Sequence, residues 1–95
     1  MDNAEARGII SSQLAQYREW TYPQLCAMVG AAERTLEVVG RSGTRYQVEI
    51  YAFWDSEPER NIRVICHVDD GGWRAFIPLS GSFIKAPNGS FVGES

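Results

Sequence analysis

Apolar residues recur every three or four positions at the start of the chain, the spacing of one face of an α-helix. This stripe consists of Ala6, Ile10, Leu14 and Tyr17. The stripe predicts an amphipathic helix over residues 3–20, and Asp2 is placed to cap its first turn. Thr21 and Gln24 have the spacing of a capping box, which predicts a second, short helix over residues 22–29.

From Thr35 onward the hydrophobic period changes to two, which is typical of strands with one buried face. Segments rich in Gly, Pro, Ser and Asp interrupt the alternation and predict turns at residues 40–43, 56–59 and 69–72. The strands that we predict span residues 34–40, 44–55, 61–69 and 72–79. Because all connections are short, the sheet is expected to be an antiparallel meander in chain order.

These elements predict a single α+β domain over residues 1–95, with two helices packed on one face of a four- or five-stranded antiparallel sheet. The fifth strand would come from the C-terminal segment, residues 80–95, where a turn at Pro87 to Gly89 returns Phe91 beside Phe83. The core face is expected to carry Tyr46, Val48, Ile50, Ala52, Trp54, Ile62, Val64, Cys66, Val68, Trp73, Ala75, Ile77 and Leu79.

The opposite face is expected to be only partly polar. Pairing Val68 with Trp73 across the turn at 69–72 gives its cross-strand rows. The three rows are Glu49–His67–Arg74, Tyr51–Ile65–Phe76 and Phe53–Arg63–Pro78. With Val39 from the first strand, these rows hold a contiguous apolar patch, and such a patch usually has a partner.

Three explanations of this patch stay open at the level of sequence. Residues 80–95 fold over it, two copies of the chain pack on each other as a homodimer, or an unidentified protein or small ligand binds there. In the last two cases the expected contact residues are Val39, Tyr51, Phe53, Arg63, Ile65 and Phe76.

The row of Glu49, His67 and Arg74 contains side-chain types that general base catalysis and anion binding use. Cross-strand pairs of opposite charge also occur for sheet stability alone, and the sequence shows no nucleophile for these residues to activate. We therefore expect no catalytic residues and lean towards a protein that is not an enzyme. A small enzyme or an anion-binding domain centred on this row is the alternative.

Other kinds of site lack the necessary residues. The Asp69 to Gly72 segment is explained by turn formation and lacks the ligand spacing of a Ca²⁺ loop, and Cys26, Cys66 and His67 are too few for zinc. No phosphate-binding glycine motif is present, so no cofactor is expected. The net charge of −3 and the single Lys argue against nucleic-acid binding, although arginines alternate with aromatic residues.

The N-terminal residues are acidic and polar and predict neither a signal peptide nor a membrane span, so a cytoplasmic location is expected. Cys26 and Cys66 lie in apolar patterns and are interpreted as buried thiols, although a bridge between them stays possible.

Residues 43–50 (GTRYQVEI), 69–79 (DDGGWRAFIPL) and 87–93 (PNGSFVG) resemble segments of short bacterial hypothetical proteins. The resemblance implies an uncharacterised bacterial family with no known activity. An environmental or mobile gene, such as an integron cassette, is the expected source. Taken together, the sequence predicts a small non-catalytic binding module that forms a homodimer through the exposed sheet face.

Overall fold

The structure, a computed structural model, describes residues 2–72 and 78–94. It contains two helices, α1 (Asn3–Arg18) and α2 (Tyr22–Met28), followed by four strands. The strands are β1 (Arg34–Val39), β2 (Arg45–Trp54), β3 (Ile62–Asp69) and β4 (Leu79–Lys85). They form one antiparallel sheet in the order β1-β2-β3-β4, which confirms the predicted α+β class.

Both helices begin where the capping signals predicted. The Asp2 carboxylate accepts the Glu5 N–H at 3.0 Å, and Thr21 and Gln24 form a complete capping box. The predicted stripe of α1 is buried, but the helix ends at Arg18, two residues before the expected end. α1 packs on β3 and β4, and α2 packs on β2, so both helices cover the same face of the sheet.

The buried face of the sheet is the predicted one for β2 and β3. The even-numbered residues from Tyr46 to Ala52 and from Ile62 to Val68 are at most 6% exposed, and Trp54 packs at the margin of this core. The alternation of buried and exposed positions in β2 and β3 follows directly from the period-two pattern.

The predicted pairing of the fourth strand is wrong. Val68 pairs with Leu79 rather than Trp73, and β4 runs from Leu79 to Lys85. The shift moves the partners of β3 by six positions, an even number, so Leu79 still faces the helices, as the alternation assigned. The predicted strand over residues 72–79 therefore contributes only Leu79 to β4, and Trp73, Arg74, Ala75, Phe76 and Ile77 lie outside the described residues.

Gly81 allows α1 to approach β4 closely. A Cβ atom at this position would lie 2.6 Å from Cγ2 of Ile10 and 3.4 Å from Cδ1 of Leu14. Such a close approach of helix and strand is possible only because the residue has no side chain. The Ser-Gly-Ser segment at residues 80–82, which interrupts the apolar pattern, is thus part of a strand.

The C-terminal segment does not cover the second face of the sheet with its described residues. The predicted turn at Pro87 to Gly89 is present, and Phe91 returns to β4 through a bridge with Lys85. Phe91 then packs edge-on against Phe83 on the helix side, with ring centroids 5.7 Å apart. Glu94 completes this packing with a salt bridge to Arg18 of α1, 2.8 Å long.

Candidate functional site on the open face of the sheet

The second face of the sheet, which neither helix covers, is called the open face here. It consists of the odd-numbered residues of β1, β2 and β3 and the even-numbered residues of β4. Its three central rows are Glu49–His67–Ser80, Tyr51–Ile65–Ser82 and Phe53–Arg63–Ile84. The first two members of every row were predicted correctly, because the short turn between β2 and β3 fixes their register.

The third member of each row differs from the prediction. Ser80 occupies the place expected for Arg74, Ser82 that of Phe76, and Ile84 that of Pro78. Arg74 and Phe76 lie outside the described residues. Sequence reasoning missed both serines because the polar segment at 80–82 was interpreted as the end of the sheet. Val39 lies on the open face at the end of β1 and is 60% exposed.

His67 is the centre of a hydrogen-bonded chain across three strands. Its Nε2 atom lies 2.6 Å from the Tyr51 hydroxyl, and its Nδ1 atom lies 2.5 Å from Oγ of Ser80. A neutral imidazole has one donor and one acceptor nitrogen, and the two hydroxyls can supply the complementary groups. Both ring nitrogens are therefore engaged, which fixes the orientation of the ring.

Arg63 is held in place by two neighbours on the open face. Its Nε and Nη2 atoms donate to Oδ1 of Asp55 at 3.2 and 3.1 Å, and its Nη1 atom donates to Oγ of Ser82 at 3.1 Å. The charge of this arginine is thus already balanced within the chain. Arg45 is likewise paired, with Glu37 at 3.1 Å.

The apolar part of the open face centres on two stacked rings. Tyr51 and Phe53 have centroids 6.0 Å apart and planes inclined by 30°, and Phe53 is 37% exposed. Ile65, which lies between Arg63 and His67 on the same face of β3, is half-buried beside them. The hydrogen bond between its hydroxyl and His67 restrains the Tyr51 ring.

Glu49 differs from the other charged residues of the open face. It is half-buried, yet its carboxylate makes no hydrogen bond or ion pair with another residue in the described ranges. Glu33 and Glu49, with Tyr51 and His67, line a shallow cavity of about 690 Å³ beside the N-terminal end of β1. Segment 30–32, which leads from α2 to β1, forms the other wall.

Cys26 and Cys66 are both free thiols, and burial raises the pKa of Cys66 to about 11. Within residues 2–72 and 78–94, no group of three His, Cys, Asp or Glu side chains is placed to hold a metal ion. Neither described helix combines the length and the apolar character that a bilayer span requires.

Comparisons with known proteins give no relative: no family model, no curated protein and no solved structure matches this chain. The resemblance of residues 43–50, 69–79 and 87–93 to short bacterial hypothetical proteins stays a prediction. The same holds for the cytoplasmic location.

Proposed function

We propose that this protein is a small, non-catalytic interaction module that contacts its partner through the open face of its sheet. The stacked pair of Tyr51 and Phe53 carries this proposal. Phe53 is 37% exposed on a face that neither α1 nor α2 covers, next to the half-buried Ile65. Rigid aromatic side chains of this kind are typical anchors of protein interfaces, because little side-chain entropy is lost when they are buried.

The charges around this pair favour a partner that brings a cation. Arg63 and Arg45 are already paired with carboxylates, whereas Glu49 has no partner in the described part of the chain. Covering Glu49 with an apolar surface would bury an uncompensated charge, which is costly. A partner segment that places an apolar ring on Phe53 and a Lys or Arg near Glu49 avoids that cost.

Two short peptides that differ only in one charge test this proposal. We would titrate the ¹⁵N-labelled protein with Ac-Phe-Lys-Phe-NH₂ and with Ac-Phe-Glu-Phe-NH₂ and follow the amide resonances. The lysine peptide is expected to shift resonances in the three central rows and to bind about tenfold more tightly than the glutamate peptide, a difference of about 1.4 kcal/mol. Glu49→Gln should remove that difference, and Glu57→Gln, at an exposed turn, should leave it.

Equal binding of the two peptides, or resonance shifts that avoid the three central rows, would contradict the proposal. The homodimer through this face that the sequence predicted is tested separately, by light scattering over a concentration series. If the second copy occupies the open face, Phe53→Asp should convert the dimer into a folded monomer.

A second candidate function is supported by the contact between Ser80 and His67. A serine hydroxyl on an imidazole nitrogen is the starting geometry of nucleophilic catalysis, in which the imidazole takes the hydroxyl proton. Here the other nitrogen contacts the Tyr51 hydroxyl, and no carboxylate of the described residues is hydrogen-bonded to the ring. Tyr51 therefore offers less stabilisation of an imidazolium than a carboxylate would.

A fluorophosphonate probe separates the two functions. An enzyme with Ser80 as nucleophile would be labelled at that residue, with loss of fluoride and transfer of the hydroxyl proton to His67. Labelling would disappear in Ser80→Ala and persist in Ser82→Ala. The interaction module predicts no labelling of the folded wild-type protein.

A further inference from the structure

The two outer strands of the sheet differ in how their edges are covered. At β4, α1 packs against the strand, and the N–H of Val92 donates to the Ile84 carbonyl at 2.9 Å next to the bridge between Lys85 and Phe91. β1 pairs with β2 on one side, and no described strand lies on its other side. β1 therefore presents a row of backbone donors and acceptors to solvent.

β1 also lacks the devices that normally protect such an edge. Its six residues pair with β2 without a bulge, and the strand contains neither Pro nor Lys. Its two charged residues are engaged elsewhere. The Arg34 guanidinium stacks on the Trp20 ring at 4.9 Å, and Glu37 accepts hydrogen bonds from Arg45 and Gln47.

The helix side of β1 carries the exposed residues Arg34 and Leu36 and the half-buried Val38, so two of its three side chains are apolar. Leu36 pairs with the buried Val48, which places it on that side, and it is 37% exposed. Because α1 packs over β3 and β4, a groove of about 530 Å³ separates it from the end of β1. Ile9 and Val38 contribute to the walls of this groove, which leaves room for side chains from a neighbouring strand.

We propose that two copies of the chain pair through β1, antiparallel, with Leu36 opposite Leu36 on a two-fold axis. The four strands of each copy then form one continuous sheet, with all helices on one side and both open faces on the other. This inference does not rest on the proposed function, because it leaves the open face free and places two copies of it side by side.

The register follows from the faces and charges of the strand. Opposite residues of an antiparallel pair lie on the same face, so only even-numbered residues can oppose even-numbered ones. Centring the pair on Glu37 would place two carboxylates opposite each other, and centring it on Thr35 would oppose Glu33 and Glu37. With Leu36 at the centre, Thr35 opposes Glu37 and Arg34 opposes Val38, so like charges do not meet within β1. A pair centred on Val38 also avoids like charges, but it would leave most of β1 unpaired.

Opposite charges at the two-fold position test the interface and its register together. Light scattering over a concentration series is expected to show a wild-type mass that rises to twice the chain mass. Leu36→Lys and Leu36→Glu should each stay monomeric, because each places two like charges on the axis. An equimolar mixture of the two should regain the dimer, which also shows that both variants are folded.

Disulfide trapping tests the same register without perturbing the charges. In a Cys26→Ser background, Leu36→Cys should crosslink two copies on mild oxidation, because directly opposed Cα atoms lie about 4.5–5.5 Å apart, within disulfide range. Glu37→Cys is the control, since its two copies would be roughly 8 Å apart in this register, too far for a bridge.

A wild-type protein that stays monomeric at every concentration would overturn the proposal. So would a dimer that persists in both charged Leu36 variants, or a Glu37→Cys crosslink that forms as readily as the Leu36→Cys one. The peptide titration of the open face, repeated on Leu36→Lys, is independent of these results. Failure of the β1 pairing is thus distinguishable from failure of the proposed function.

Discussion

At the scale of single residues, Lys85 is the side chain that the hydrophobic pattern could not place. It occupies the helix side of β4 with 8% of its surface exposed. Its ammonium donates to the carbonyls of Trp20 at 2.6 Å and Arg18 at 3.1 Å, and it lies 5.1 Å from the Phe91 ring centroid. The lysine thus binds the carbonyl of the last residue of α1 and a carbonyl of the segment that follows the helix.

Lys85→Met is expected to lower the free energy of unfolding by about 2 kcal/mol. The hydrogen bonds from the charged ammonium are lost, and the two carbonyls are left without a donor. Urea unfolding of the variant and the wild type measures this difference. Arg41→Met, at an exposed turn position, is the control and should change the value by less than about 0.5 kcal/mol. A change in Lys85→Met no larger than in the control would show that the contact is dispensable.

Glu5 predicts a pH dependence at the same scale. Hydrogen bonds from the hydroxyls of Ser42 and Tyr46 lower the pKa of this carboxyl below its ordinary value of 4.5. Because the folded pKa is the lower one, the stabilisation is fully present above about pH 4.5 and is lost as the pH falls through the folded pKa.

The urea midpoint of the wild type should therefore fall more steeply below pH 4.5 than that of Glu5→Gln. Glu19→Gln, at an exposed position after α1, serves as the matched control and should retain the wild-type steepness. Parallel curves for wild type and Glu5→Gln would contradict the expected role of the carboxylate.

At the scale of elements, the contact between α1 and β4 depends on Gly81. Gly81→Ala is expected to destabilise the fold by about 1–3 kcal/mol, because the new Cβ would overlap Ile10 and the core is already filled. Gly8→Ala is the control: its Cβ would meet no atom within 4 Å, so it should stabilise α1 by about 1 kcal/mol. Chemical unfolding should show a lower free energy of unfolding for Gly81→Ala and a higher one for Gly8→Ala.

A double-mutant cycle identifies the origin of the Gly81 effect. Ile10→Ala removes the atom that the new Cβ would meet, so Gly81→Ala should cost less in that background than in the wild type. An equal cost in both backgrounds would mean that the strand itself, and not its contact with α1, resists the side chain.

The same element shows why sequence predicts part of the site and not the rest. In β2 and β3 every residue facing the helices is apolar, so alternation and the intervening turn fixed the pairing of Glu49 with His67 and of Phe53 with Arg63. In β4 the positions facing the helices include Gly81 and Lys85. In a pattern of apolar and polar residues, the glycine indicates a turn and the lysine indicates a solvent-facing position. Only the packing of α1 explains those two residues, and packing is not visible in a sequence.

At the scale of the whole molecule, Cys66 reports on the sheet as a unit. It lies on the central strand β3 between Ile50 and Gly81, is fully buried, and has its pKa raised to about 11 by burial. The thiolate that alkylating agents need is therefore both scarce and inaccessible in the folded protein. Its exposure requires that α1 separate from the sheet.

Alkylation of Cys66 by iodoacetamide should accordingly occur only through global unfolding. Adding urea below the midpoint should raise its rate in step with the unfolded population, whereas Cys26, half-buried in α2, should react faster and depend less on urea. Peptide mass spectrometry after timed quenching distinguishes the two sites. Rapid, urea-independent labelling of Cys66 would indicate local opening of β4.

The placement of α1 on β3 and β4 has a consequence for synthesis. The apolar stripe of α1 leaves the ribosome before the strands that it packs on, because α1 precedes β3 and β4 in the chain. At a synthesis rate of about 5–20 residues per second, Gly81 and Phe83 are added several seconds after Ile10 and Leu14. Throughout that interval the nascent chain displays an uncovered amphipathic helix, which makes it a natural client for chaperones that recognise exposed apolar surface.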